Sequence, residues 1–142
     1  MSQTIFLSLL SISGSIVLAS LSYYFTKTQQ LKTEWQHEKM NHYKILLKAI
    51  SDLAISGKDK RKAQEDFALA SNTICIVAPQ NVVKALMDFH DEVKISNRDK
   101  FSVERHDQLL RKLLLEIRKD IGLSKNDNEK TFEFHLIGYS PN

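Results

Sequence analysis

The sequence predicts a mainly α protein: one N-terminal transmembrane helix, residues 1–26, then a small cytosolic helical bundle, residues 27–142, with a short extended or strand segment near its C-terminus. Three observations carry this. Ile5–Phe25 is an uncharged, largely apolar run of 21 residues, and the first charged side chain of the chain is Lys27. Beyond it, apolar residues recur at three- and four-residue spacing in segments punctuated by Gly57, Pro79 and Gly122. Near the end, Phe132, Phe134 and Leu136 alternate with Glu133 and His135, a period of two.

The elements follow in order. As a helix, the first run is ~31 Å long, about one hydrocarbon core. Met1–Thr4 has no basic residue, so a retained anchor fits better than a cleaved signal. Lys27, Lys32, Lys39, Lys44 and Lys48 all follow the run, which places the C-terminal side in the cytoplasm and the N-terminus outside. Ser8, Ser11, Ser15, Ala19 and Ser22 form a stripe of small residues on one helical face, suited to self-association of spans or to a Ser-rich anchor with no partner. No Gly or Pro occurs between Gly14 and Gly57, so the first helix is expected to continue to about Ser56. Leu31, Trp35, His42, Ile45, Leu46, Ala49, Ile50 and Leu53 form its later stripe. Gly57–Lys60 reads as a C-cap and turn.

A second helix fits about Asp59 to Val77, with Ala63, Phe67, Ala70, Ile74 and Val77 on one face. Pro79 ends it and suits the first turn of a third helix, about Gln80 to Ile95, which carries Val82, Val83, Leu86, Phe89 and Val93. The fourth starts near Ser102, an N-cap residue, and carries Val103, His106, Leu110, Leu113, Leu114, Ile117 and Ile121. Gly122 follows as a C′ residue. Thr131–Ile137 is then expected as a strand or extended tail that packs on the helices or pairs with another chain.

Composition excludes some function classes. Lys+Arg 20 against Asp+Glu 17 gives a net charge of +3, too small to argue for duplex nucleic acid. With one cysteine no intramolecular disulfide forms, and Cys75, inside Ile74–Val77, is expected as a buried reduced thiol. His37 and His42 are five apart, which puts them about 140° from each other on a helix and rules out the zinc-protease spacing. His90-Asp91 and His106-Asp107 are the only His-Asp pairs. His106 falls on an apolar arc, where a hydrogen-bonded core histidine is the simpler reading. No Gly-rich phosphate loop exists among four glycines. No cofactor, no metal and no catalytic residue is expected.

Two basic groupings remain. Lys58, Lys60, Arg61 and Lys62 cluster at the start of the second helix, either as a solvated end or as a phosphate contact. On the fourth helix Arg111 and Arg118 lie together off the edge of the apolar arc, with Leu115 between them pointing away from the core. An exposed Leu flanked by arginines suits a subunit contact or an anion site; the alternative is surface arginines paired with nearby acids. Arg105, Lys112 and Lys119 form a second basic row, read as a solvated face.

Tyr43-x-x-Leu46-Leu47-x-Ala49, Ala78-Pro79-x-x-Val82, Leu86-x-x-Phe89 and Ile117–Gly122 before an aromatic tail resemble a diffuse group of small bacterial proteins with one membrane anchor and a cytosolic helical domain. The layout also looks like the membrane-bound ancillary effectors of type III CRISPR systems. That resemblance implies a non-enzymatic homo-oligomer at the bacterial inner membrane, acting in antiphage defence, that binds a cyclic oligoadenylate. The ligand-binding candidates are Arg105, Arg111, Arg118 and Lys119; the span is bounded by Ile5 and Phe25. Oligomer contacts fall on Ser8, Ser11, Ser15, Ala19 and Leu115. The competing expectation is a membrane-tethered adaptor whose apolar groove docks another protein.

Overall fold

The structure is a computed structural model that describes residues 2–55, 57–94, 99–123 and 126–136, with the side chains at 2, 4 and 6–12 also outside the description. It contains four α-helices: α1 (Ser2–Ala54), α2 (Lys60–Val77), α3 (Gln80–Val93) and α4 (Val103–Asp120). The chain divides into two compact units, Met1–Glu38 and Lys39–Asn142.

The first unit holds the N-terminal part of α1. Its large apolar side chains are exposed, among them Ile5, Ile16, Leu21, Phe25, Leu31 and Trp35. The expected transmembrane helix and single-pass inner-membrane placement are overturned here, because no helix among the described residues is long and apolar enough to cross a membrane. Within the described stretch, Ser13, Gly14, Ser15, Ser20 and Ser22 interrupt the apolar residues and lower its hydropathy. Ser15 and Ala19 are exposed, whereas the side chains of Ser8 and Ser11 lie outside the described residues.

The second unit is the helical bundle. Tyr43, Leu46, Ala49 and Ile50 of α1 form one core with Phe67, Ala70 and Ile74 of α2, Val82, Ala85, Leu86 and Phe89 of α3, and Leu110, Leu113 and Ile117 of α4. α3 and α4 are the most closely packed pair. The stripe expected on α1 splits at the same place as the units, because Leu31 and Trp35 stay exposed and burial begins at Tyr43. Burial is the larger reason the Tyr43 phenol is pushed far above its ordinary value. The second is Asp120, whose carboxylate accepts its proton at 2.6 Å. Lys39 donates to the same carboxylate, so the last residue of α4 is bound to α1 by two donors.

Local chemistry sets the helix ends. Asp59 caps α2 by accepting from the backbone N–H groups of Arg61 and Lys62. Ser102 caps α4 by accepting from Arg105 N–H. Gly122 sits at φ +80° just beyond α4, where its N–H and that of Leu123 donate to the carbonyls of Lys119 and Arg118. The basic cluster at the start of α2 is structural. Lys60 donates to the carbonyls of Leu53 and Ile55, which the end of α1 leaves without helical partners, and Lys58 pairs with Asp52 at 3.4 Å.

The expected C-terminal strand is absent from residues 131–136. The alternation itself is present: Phe132, Phe134 and Leu136 are half-buried, and Glu133 and His135 are exposed. Phe134 and Leu136 pack against the core from an extended segment that finds no second strand among the described residues. Ile137 lies outside the described residues. Cys75 is also corrected: it is exposed, because the buried face of α2 runs through Phe67, Ala70, Ser71 and Ile74 and leaves the next position pointing outward.

Candidate functional site

α4 is buried on two sides. Leu110, Leu113 and Ile117 face the core, and Leu115, two residues on from Leu113 and nearly opposite it on the helix, is only 1 % exposed. The expectation of an exposed Leu115 at a subunit contact is therefore corrected. On the same face Arg118 meets Asp127 and Phe132, so the chain after α4 returns over this side.

This arrangement pushes the cations of α4 to its flanks, where all but one find an acid among the described residues. Arg105 Nε lies 3.2 Å from Glu92, a buried carboxylate of α3 that also accepts from Ser102 N–H. Lys112 faces Asp88 at 3.8 Å. Arg118 donates through Nε and Nη2 to one oxygen of Asp127, at 2.9 and 2.8 Å, with its guanidinium carbon 5.2 Å from the centre of the Phe132 ring. Lys119 bonds Glu116 at 2.6 Å. Burial pushes the Glu116 carboxyl up, but hydrogen bonds from Lys119 and Asn81 outweigh it and hold the group below the usual carboxylate range.

Arg111 is the exception. Its residue is partly buried, its Nε is fully buried, and that Nε has no hydrogen-bond partner among the described residues. It borders an open cleft of about 530 Å³ with Arg105, Gln108, Leu109 and Lys112 of α4 and Glu129 and Lys130 of the returning segment. Four cations and one carboxylate line it. Of the expected ligand-binding residues the structure brings Arg105 and Arg111 to this cleft. Arg118 is committed to Asp127 and Phe132, and Lys119 to Glu116. Lys112 and Lys130 complete the lining. The seven-residue spacing of Arg105 and Lys112 was a legible signal for the first, but a solvated face is the simpler reading of it. The expectation that Thr131–Ile137 packs on the helices or pairs with another chain does not fix that Lys130 meets this flank of α4.

A second cleft, about 570 Å³, is mainly apolar, with Ile50, Leu53, Phe89, Val93, Phe101 and Leu136 on its walls. His106 reaches it between the rings of Phe89 and Phe101, 5.2 and 5.8 Å away, and its Nδ1 is 3.0 Å from Asp107. The expected core histidine is hydrogen-bonded but lies at the edge of the core, with its side chain 20 % exposed. His90 is half-exposed and stacks on Phe67. Among the described residues no group of three His, Cys, Asp or Glu side chains is placed to hold a metal ion.

Comparison with protein-family models, with curated proteins and with solved structures returns no match.

Proposed function

We propose that the helical bundle is a non-catalytic binding domain for a phosphate-bearing ligand, seated in the cleft lined by Arg105, Arg111, Lys112 and Lys130. The observation that carries this is the buried, unpartnered Nε of Arg111 on a helix whose other four cations each have an acidic partner. An unsatisfied buried guanidinium nitrogen is costly in isolation. A phosphate oxygen supplies the acceptor it lacks once the side chain turns Nε toward the cleft, and guanidinium matches phosphate geometry well. The CRISPR-effector resemblance supplies a concrete probe, a cyclic oligoadenylate, whose spaced phosphates suit several cations along one cleft.

The test is calorimetric titration of the full chain with cyclic oligoadenylates of several ring sizes and with inorganic tripolyphosphate. Binding by at least one probe, weakened tenfold or more by Arg111→Met, is the expected result. No binding by any probe, or binding that Arg111→Met leaves unchanged, overturns the assignment. Selectivity for one ring size points to the cyclic nucleotide; equal binding of tripolyphosphate points to a general phosphate site.

A further inference from the structure

The segment that returns over α4 borders both clefts. Glu129 and Lys130 form one wall of the cationic cleft, and Leu136 lines the apolar one. Residues 126–132 turn on Asn128, whose side chain accepts from the N–H groups of Lys130 and Thr131 and whose carbonyl accepts from Thr131 and Phe132. From 132 to 136 no backbone hydrogen bond to another element is made among the described residues. Side chains alone hold this stretch. Arg118 clasps Asp127 and Phe132, Phe134 and Leu136 plug the core edge, and His135 Nδ1 stands 3.6 Å from Asp107. Arg118 and Asp127 are each about a third exposed, where ion pairs are weak. A segment fastened in this way belongs to the low-stability end of a fold.

We infer that residues 126–136 are a strap whose closure is coupled to anion binding, an inference that rests on the proposed function of the cleft. With the strap closed, Lys130 faces Arg105, Arg111 and Lys112 across the cleft. With it open, one wall is missing. A ligand whose phosphates reach both walls therefore binds the closed form better, and by linkage holds the strap shut. Closure seats Leu136 against the apolar cleft. Release uncovers Phe89 and Val93 there, so occupancy of one cleft decides the exposure of the other.

Asp127→Asn separates this coupling from simple charge attraction. Asp127 does not line the cleft, and removing its negative charge should strengthen anion binding if the field alone mattered. Strap coupling predicts the opposite sign. The loosened clasp lowers the closed fraction, so the apparent affinity of the full-length variant for the probe that the wild type binds falls roughly fivefold. Hydrogen exchange of 132–136 and tryptic cleavage after Lys130 should slow in the wild type when that probe is added. Equal or tighter binding by Asp127→Asn, or a bound probe that leaves exchange and cleavage unchanged, overturns the strap and leaves the binding site standing. If no probe binds the wild type, the site itself fails, and the coupling with it.

Discussion

Arg111→Met sets stability against function in one substitution. Methionine keeps an unbranched stem along α4 and removes the guanidinium whose Nε is buried without a partner. Relieving one unsatisfied buried polar atom is worth about 1–3 kcal/mol. The residue is only partly buried, so the rest of the group is hydrated and the low end applies, about 1 kcal/mol. For a domain of this size that raises the unfolding midpoint by roughly 4–8 °C. Urea and thermal unfolding of the full chain, followed by far-ultraviolet circular dichroism, measure it directly. Without ligand the variant should be the more stable protein. With a phosphate-bearing ligand at a hundred times its Kd the wild type gains about 2.7 kcal/mol and overtakes it. A variant destabilised by 1 kcal/mol or more without ligand would refute the reasoning, because it would mean that Arg111 already has a partner in the native fold.

Two further predictions test the frame that holds the cleft. Tyr43→Phe removes one of the two donors on Asp120 and should cost about 1.5–3 kcal/mol, read as a lower urea midpoint. Because the folded state keeps the Tyr43 proton more tightly than the unfolded chain, its contribution is complete below the phenol's ordinary 10.0 and declines above it by up to about 1.4 kcal/mol per pH unit. The difference in stability between wild type and Tyr43→Phe should therefore shrink as pH rises through that value, and a constant difference would refute the pairing. Leu115→Ala should destabilise by about 2–5 kcal/mol because the side chain is 1 % exposed; a neutral result would place it on the surface.

The helices were legible because each has local punctuation that the structure uses. Asp59 and Ser102 cap, Pro79 separates α2 from α3, and Gly122 takes the positive φ that ends α4. The inward face of α4 was legible too, since Leu110, Leu113 and Ile117 follow the helical period into the core. What periodicity cannot supply is a second covering layer. A helix read alone has one core side, so Leu115 reads as exposed, and it leaves open whether Arg118 meets an anion or the acid it pairs with, Asp127. Glu92 was hidden for a similar reason. Its burial depends on Ser102 N–H and Arg105, which lie across a loop and carry no short-range signal. Lys60 reads in the sequence as either a solvated end or a phosphate contact, but it serves the carbonyls of Leu53 and Ile55 at the end of the preceding helix.

The pairing of charges on α4 gives the cleft its meaning. Arg105, Lys112, Arg118 and Lys119 lie opposite acids drawn from α3, from the returning segment and from α4 itself. Partly exposed pairs of this kind contribute little to stability. They do lower the net charge around the helix, and leave Arg111 and Lys130 as the cleft cations with no acidic partner among the described residues. An anion entering there meets a guanidinium with a buried unpartnered nitrogen and a lysine on a segment held only by side chains. On the proposed reading the first gives it a reason to bind, since the acceptor it brings would remove an existing cost. On the proposed coupling the second would let binding be felt elsewhere, because the segment that supplies Lys130 also supplies Leu136 to the apolar cleft. A rigid wall would bind and report nothing, and a fully paired Arg111 would have no need of a ligand. The combination distinguishes this face of the bundle from the rest of its basic surface.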